Sequence, residues 1–177
     1  MKEIDLTELL PSLVLRNRGG RSRIRFPVLL MLPRHLPRFL WSDESLEELI
    51  PAFLERAVAV SYPGRPILVA ACRRQEMSDI EALFEIHPPC WIELKIEVQP
   101  FSRFDGVEEA LEDSGFRYEE EWATENSGSR LIAYSRGNQP APALLFSMDN
   151  GEASRRYSFL IPIVKPVPPL QSRPPGP

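Results

Sequence analysis

The sequence predicts an α+β fold in two layers, a mixed and mostly antiparallel sheet with about three helices packed on one face. Three observations carry that expectation. Apolar residues recur at helical spacing from Leu46 to Val58, whereas from Trp91 to Val98 they alternate with charge. Strand-like runs also come in neighbouring pairs joined by turn residues.

The elements follow in order. Asp5 to Leu10 reads as a short helix ended by Pro11. Leu13 to Arg18 and Arg21 to Phe26 then read as a hairpin around Gly19-Gly20, a pair suited to the positive φ of a type I′ turn. Side chains alternate along a strand, so this hairpin puts Leu13, Leu15, Ile24 and Phe26 on one face. Arg16, Arg18, Arg21, Arg23 and Arg25 fall on the other. The second strand runs on through Leu32.

From Ser42 the period changes. Leu46, Leu49, Ile50, Phe53, Leu54, Ala57 and Val58 form a helical stripe, Ser42 fits the N-cap, and Pro51 should kink or divide the helix. Ile67 to Cys72 is a continuous apolar run, expected as a strand buried on both faces. Ser78-Asp79-Ile80-Glu81 is a capping box for a short helix through Ile86. Trp91 to Val98 is a strand with Glu93, Lys95 and Glu97 on its wet face. Asp105-Gly106-Val107-Glu108 opens another helix, and Gly115 stops it. Phe116 to Trp122, Leu131 to Arg136, Ala143 to Met148 and Tyr157 to Val164 complete the strands. Asp149-Asn150-Gly151 is the turn joining the last two.

Residues 1–165 are expected to form a single domain, and 166–177 a proline-rich disordered tail. Proline is abundant, 19 of 177 residues, so many segments must be loops, edges or kinks. The net charge of −4 argues against a protein coated with nucleic acid. Charge is uneven, however: residues 1–41 carry +5 and the remainder −9. Two cysteines, Cys72 and Cys90, make no disulfide framework. No secretory leader is visible, and the longest apolar run is too short to span a bilayer. A cytoplasmic location without membrane attachment is the expectation.

Few motifs point to chemistry. The five arginines offer guanidinium forks to an anion, an acidic protein partner first. Nucleic acid stands behind it, because the face lacks stacking aromatics. Internal pairing with Glu93, Glu97, Glu119 and Glu121 is the structural alternative. His35, Cys72, His87 and Cys90 lack the spacing of a metal site, and neither histidine sits in a nucleophile signature. Glycine-rich phosphate loops are absent, so no metal, cofactor or catalytic residue is assigned. Glu120 becomes a functional candidate if it is buried. The three tryptophans, Trp41, Trp91 and Trp122, are expected to seal the core rim.

The stretch from Val107 to Arg136, a helix, then Ser-Gly-Phe, then a strand pair, resembles the closing part of class I methyltransferases. That resemblance implies a shared topology there. The loop that binds S-adenosylmethionine in the family has no counterpart in this chain. The expectation is thus a small, non-catalytic binding protein that uses its arginine face. A transferase-like enzyme with a dispersed site and a nucleic-acid binder are the alternatives, and the oligomeric state is open.

Overall fold

The computed structural model describes residues 2–18, 28–41, 45–75, 88, 90–99, 107–123, 130–137, 144–150, 154–163 and 166–167. Among them the helices are α1 (Leu6–Arg18), α2 (Ser45–Val60) and α3 (Val107–Asp113). The strands are β1 (Lys2–Ile4), β2 (Val28–Met31), β3 (Arg38–Trp41), β4 (Ile67–Arg74) and β5 (Cys90–Val98). They continue with β6 (Arg117–Ala123), β7 (Arg130–Ser135), β8 (Leu144–Asn150), β9 (Arg155–Ile163) and β10 (Pro166–Val167).

Seven strands form one sheet in the order β2-β4-β5-β9-β8-β7-β6. Among the described residues of this sheet only the β2–β4 pair is parallel; the other pairs are antiparallel. A smaller sheet, β1-β3-β10, pairs Lys2 with Trp41 and Pro166 with Phe39. Strand pairing therefore reaches Val167, two residues into the segment expected to be a disordered tail.

The α+β expectation holds, with helices on one face of a mostly antiparallel sheet. The inner face of the sheet supplies Ile67, Val69, Ile92, Leu94, Ile96, Ile132, Phe146, Tyr157, Phe159 and Ile161 to the main core. The helices supply Leu6, Leu10, Leu13, Leu49, Phe53, Leu54 and Leu111. Phe53 of α2 meets the rings of Tyr157 and Phe159 edge-on, each at 4.9 Å. Such T-shaped pairs add a fraction of a kcal/mol to about 1.5 kcal/mol beyond simple burial.

The hairpin is the main correction. Leu13 to Arg18 is the second half of α1, not a strand, and β2 begins only at Val28 and lies parallel to β4. The physical reason is period. Leu6, Leu10, Leu13 and Val14 are all buried, a helical stripe, while Leu15 is 65% exposed. Asp5 caps the helix: its carboxylate accepts from the Thr7 N–H at 2.9 Å, and its carbonyl accepts from Leu9 N. Pro11 lies within α1 rather than ending it. The turn at Gly19-Gly20 and the strand from Arg21 to Phe26 lie outside the described residues.

Other expectations shift less. Pro51 does not divide α2, since the helix is continuous from Ser45 to Val60. Its start is three residues after Ser42, which is outside the described residues, as is the capping box at Ser78. Strand β4 is buried on one face and half-buried on the other, not on both. Helix α3 ends as expected at Gly115, with φ of 79°. Gly115 N donates to Glu112 O at 2.8 Å and Phe116 N to Leu111 O at 3.0 Å, the paired bonds of a Schellman stop. No helix among the described residues is long and apolar enough to cross a membrane.

Candidate functional site

The outer face of the sheet, away from the helices, carries two kinds of side chain. Trp91, Leu131, Ala133, Leu145 and Leu160 form a second buried cluster there, with Trp91 wholly buried. Beside it lies a charged lattice. Glu93, from the wet face predicted for β5, is in fact buried, and it accepts from Arg74 Nε at 2.7 Å. Lys95 Nζ stands 3.4 Å from the same oxygen, and Cys72 Sγ 3.7 Å away. Burial opposes ionisation of Glu93, but the Arg74 hydrogen bond and the Lys95 and Arg74 charges outweigh it, holding the carboxyl below its ordinary range. Further along, Glu97 pairs with Arg156 at 3.3 Å. Among the described residues, Glu93 and Glu97 thus take their partners from β4, β5 and β9.

Those arginines do not form the predicted row. Arg16 and Arg18 lie at the C-terminal end of α1. Arg21, Arg23 and Arg25 lie outside the described residues. Glu120 is exposed, beside a register shift between Tyr118 and Glu120, so the burial that would have made it a candidate is missing. His35 is exposed and His87 lies outside the described residues. Among the described residues no three metal-ligating side chains converge. Cys72 and Cys90 are free thiols; burial pushes Cys90 up in pKa, with Arg73 opposing it. Trp41 and Trp91 lie within the two cores rather than on a rim, and Trp41 Nε1 donates to Ser45 Oγ at 2.8 Å.

On the helix side, a concavity of about 330 Å³ lies between β1, α1 and the start of α2. Its wall holds Glu3, Asp5, Glu8 and Glu47 against Lys2 and Arg38, and both cations already pair, Lys2 with Glu47 and Arg38 with Glu3. Such a wall repels a polyphosphate. A different cation stands at the seam of α2 and α3. Arg56 places one guanidinium nitrogen 3.5 Å from the Asp113 carboxylate and another 3.4 Å from Ala52 O, and Asp113 is largely exposed. Arg136 lies over the Phe116 ring just past the same end of α3, 5.8 Å from its centroid. Sequence reading missed Arg56, because only the docking of α3 on α2 distinguishes it from any polar-face arginine.

No protein-family model matches the chain, and no curated protein does. Solved structures match it over nearly its whole length. The nucleotide-free catalytic domain of histidine kinase ThkA superposes with a TM-score of 0.54 at 10% identity, over 92% of this chain and 95% of that one. Full-length ShkA in complex with AMPPNP gives 0.54 at 12%, over 96% of this chain and 32% of that one. The Acinetobacter baumannii histidine kinase AdeS gives 0.52 at 10%, over 93% and 68%. These matches overturn the expectation of a non-catalytic interaction protein. In fold, this chain is similar to the catalytic domain of a histidine kinase.

Proposed function

We propose that this chain is an ATP-binding domain of the histidine-kinase type. The observation that carries the reading is the match, over more than nine-tenths of the chain, to the ThkA catalytic domain and to a ShkA structure holding AMPPNP. The helix side is the favoured face, because the outer face is filled by the Trp91 cluster and the Glu93 lattice. Arg56 is the cation assigned to the phosphates. Its pairing with exposed Asp113 is loose at 3.5 Å, so a phosphate oxygen can replace the carboxylate at little cost.

Calorimetric titration with ATP, with and without Mg²⁺, tests the reading, beside thermal melting. Saturable binding displaced by ADP is expected. At a hundredfold excess over Kd the gain is about 2.7 kcal/mol, a rise of several degrees in Tm. No heat, no displacement and no shift at millimolar nucleotide would overturn it. Release of phosphate from ATP then separates binding from turnover. Arg56→Gln is expected to weaken ATP about tenfold, the loss of one charge-assisted hydrogen bond, while Tm without nucleotide hardly moves.

A further inference from the structure

The acids that close α3 stand at the unfavourable end of a helix. The aligned peptide dipoles leave partial negative charge at a C-terminus, where a cation stabilises and a carboxylate does not. Yet the last turn of α3 reads Leu-Glu-Asp, with Glu112 and Asp113 exposed and no basic residue. The turn closes all the same. Ser114 N donates to Ala110 O at 3.1 Å, beside the bonds from Gly115 N and Phe116 N.

Counter-charge arrives from a neighbouring element. Arg56 of α2 reaches across the seam to Asp113, while its bond to Ala52 O stays within its own helix. Arg136 adds charge at the same end from its place over the Phe116 ring. The apolar side of α3 is fixed separately, because Ala110, Leu111 and Phe116 are buried. Burial therefore docks the helix, and charge sets its last turn.

The two ionic partners are unequal. The Asp113 side chain is 69% exposed and that of Arg56 only 26%. Asp113 regains water as soon as it leaves Arg56, so its release costs little. Arg56 stays sheltered, keeps its bond to Ala52 O and can accept another anion in the same place. Once that exchange occurs, Glu112 and Asp113 face the negative end of α3 without the Arg56 charge.

We propose that Asp113 is an internal competitor of the phosphates for Arg56, so that nucleotide occupancy loosens the last turn of α3 from α2. This rests on the assignment of Arg56 to the phosphates and adds a regulation to it. The empty chain holds its own affinity down, and the end of α3 changes when that hold is lost.

The test compares ATP affinity by calorimetry in the full chain and in Asp113→Asn, Glu112→Gln, Arg56→Gln and the Asp113→Asn/Arg56→Gln double variant. Thermal melting checks that each is folded; if Asp113→Asn is not, Asp113→Ser takes its place. Asp113→Asn is expected to bind ATP about threefold more tightly, the scale of an exposed ion pair. Glu112→Gln removes the same charge one residue away and should bring no such gain. The gain should also vanish when Arg56 is glutamine. Hydrogen exchange at the Ser114, Gly115 and Phe116 amides should quicken about threefold when ATP is added to the unaltered chain. In Asp113→Asn it should be that fast without ATP.

Four results would overturn the proposal and leave nucleotide binding standing: equal affinity of the unaltered chain and Asp113→Asn, an equal gain from Glu112→Gln, a gain that survives Arg56→Gln, or slower exchange at the end of α3 with ATP. No ATP binding by any variant would overturn both readings. Binding by Asp113→Asn alone would support both, with Asp113 acting as a complete block.

Discussion

Gly115 shows how one residue fixes a local geometry. Its φ of 79° lies in the left-handed region, and a Cβ there would run into the Arg136 guanidinium. Gly115→Ala is expected to cost about 1–2 kcal/mol, and a lowered Tm in thermal melting checks it. Glu93 offers a second residue-scale test. Its folded pKa lies below the unfolded one, so its stabilisation is complete above the ordinary carboxylate range. That stabilisation fades as pH falls through the depressed folded value. Glu93→Gln should therefore lose about 1–2 kcal/mol at pH 7 and show a flatter decline in acid, measured by urea unfolding between pH 7 and 3. Of these two residues, Gly115 was legible from the sequence, because a glycine after an apolar helical stripe signals a stop. The burial of Glu93 was not, since alternation alone marks its face as wet. What keeps it charged there is Arg74, brought alongside by the pairing of Cys72 with Glu93 across β4 and β5.

At the scale of elements, the contrast between α1 and β5 is instructive. The alternation in β5 is long and regular, and the strand forms where expected. In α1, Leu13, Leu15 and the interleaved arginines imitate alternation over a few residues, yet the wider window from Leu6 obeys a helical period. Pro11 disguised that window, because an interior proline normally ends a helix. Both α1 and α2 carry one and continue through it. Burial of Leu13 and Val14 beyond Pro11, and of Phe53, Leu54 and Ala57 beyond Pro51, outweighs the lost hydrogen bond. Pro51→Ala restores the N–H that can bond Glu47 O, so it is expected to stabilise the protein by about 1–3 kcal/mol, seen as a higher urea midpoint. The small sheet of β1, β3 and β10 escaped sequence reading because strands of two to four residues carry too little pattern to declare themselves.

For the whole molecule, the layer arrangement was legible and the strand order was not. Alternation tells which residues share a face, but which strands are neighbours depends on contacts distant in sequence. Native-state hydrogen exchange should report that order. Amides of β5 and β9, each flanked on both sides, are expected to exchange only through global unfolding, and those of β2 and β6 through local opening. Equal protection at centre and edge would contradict the arrangement. The position of β9 has a further consequence for biosynthesis. The last long strand among the described residues, β9, is inserted between β5 and β8, so a nascent polypeptide has two incomplete half-sheets until about residue 163 has left the ribosome. Until then the inner edges of β5 and β8 are available to wrong partners, and a chain released before β9 is made should be a client of chaperones rather than a smaller folded protein.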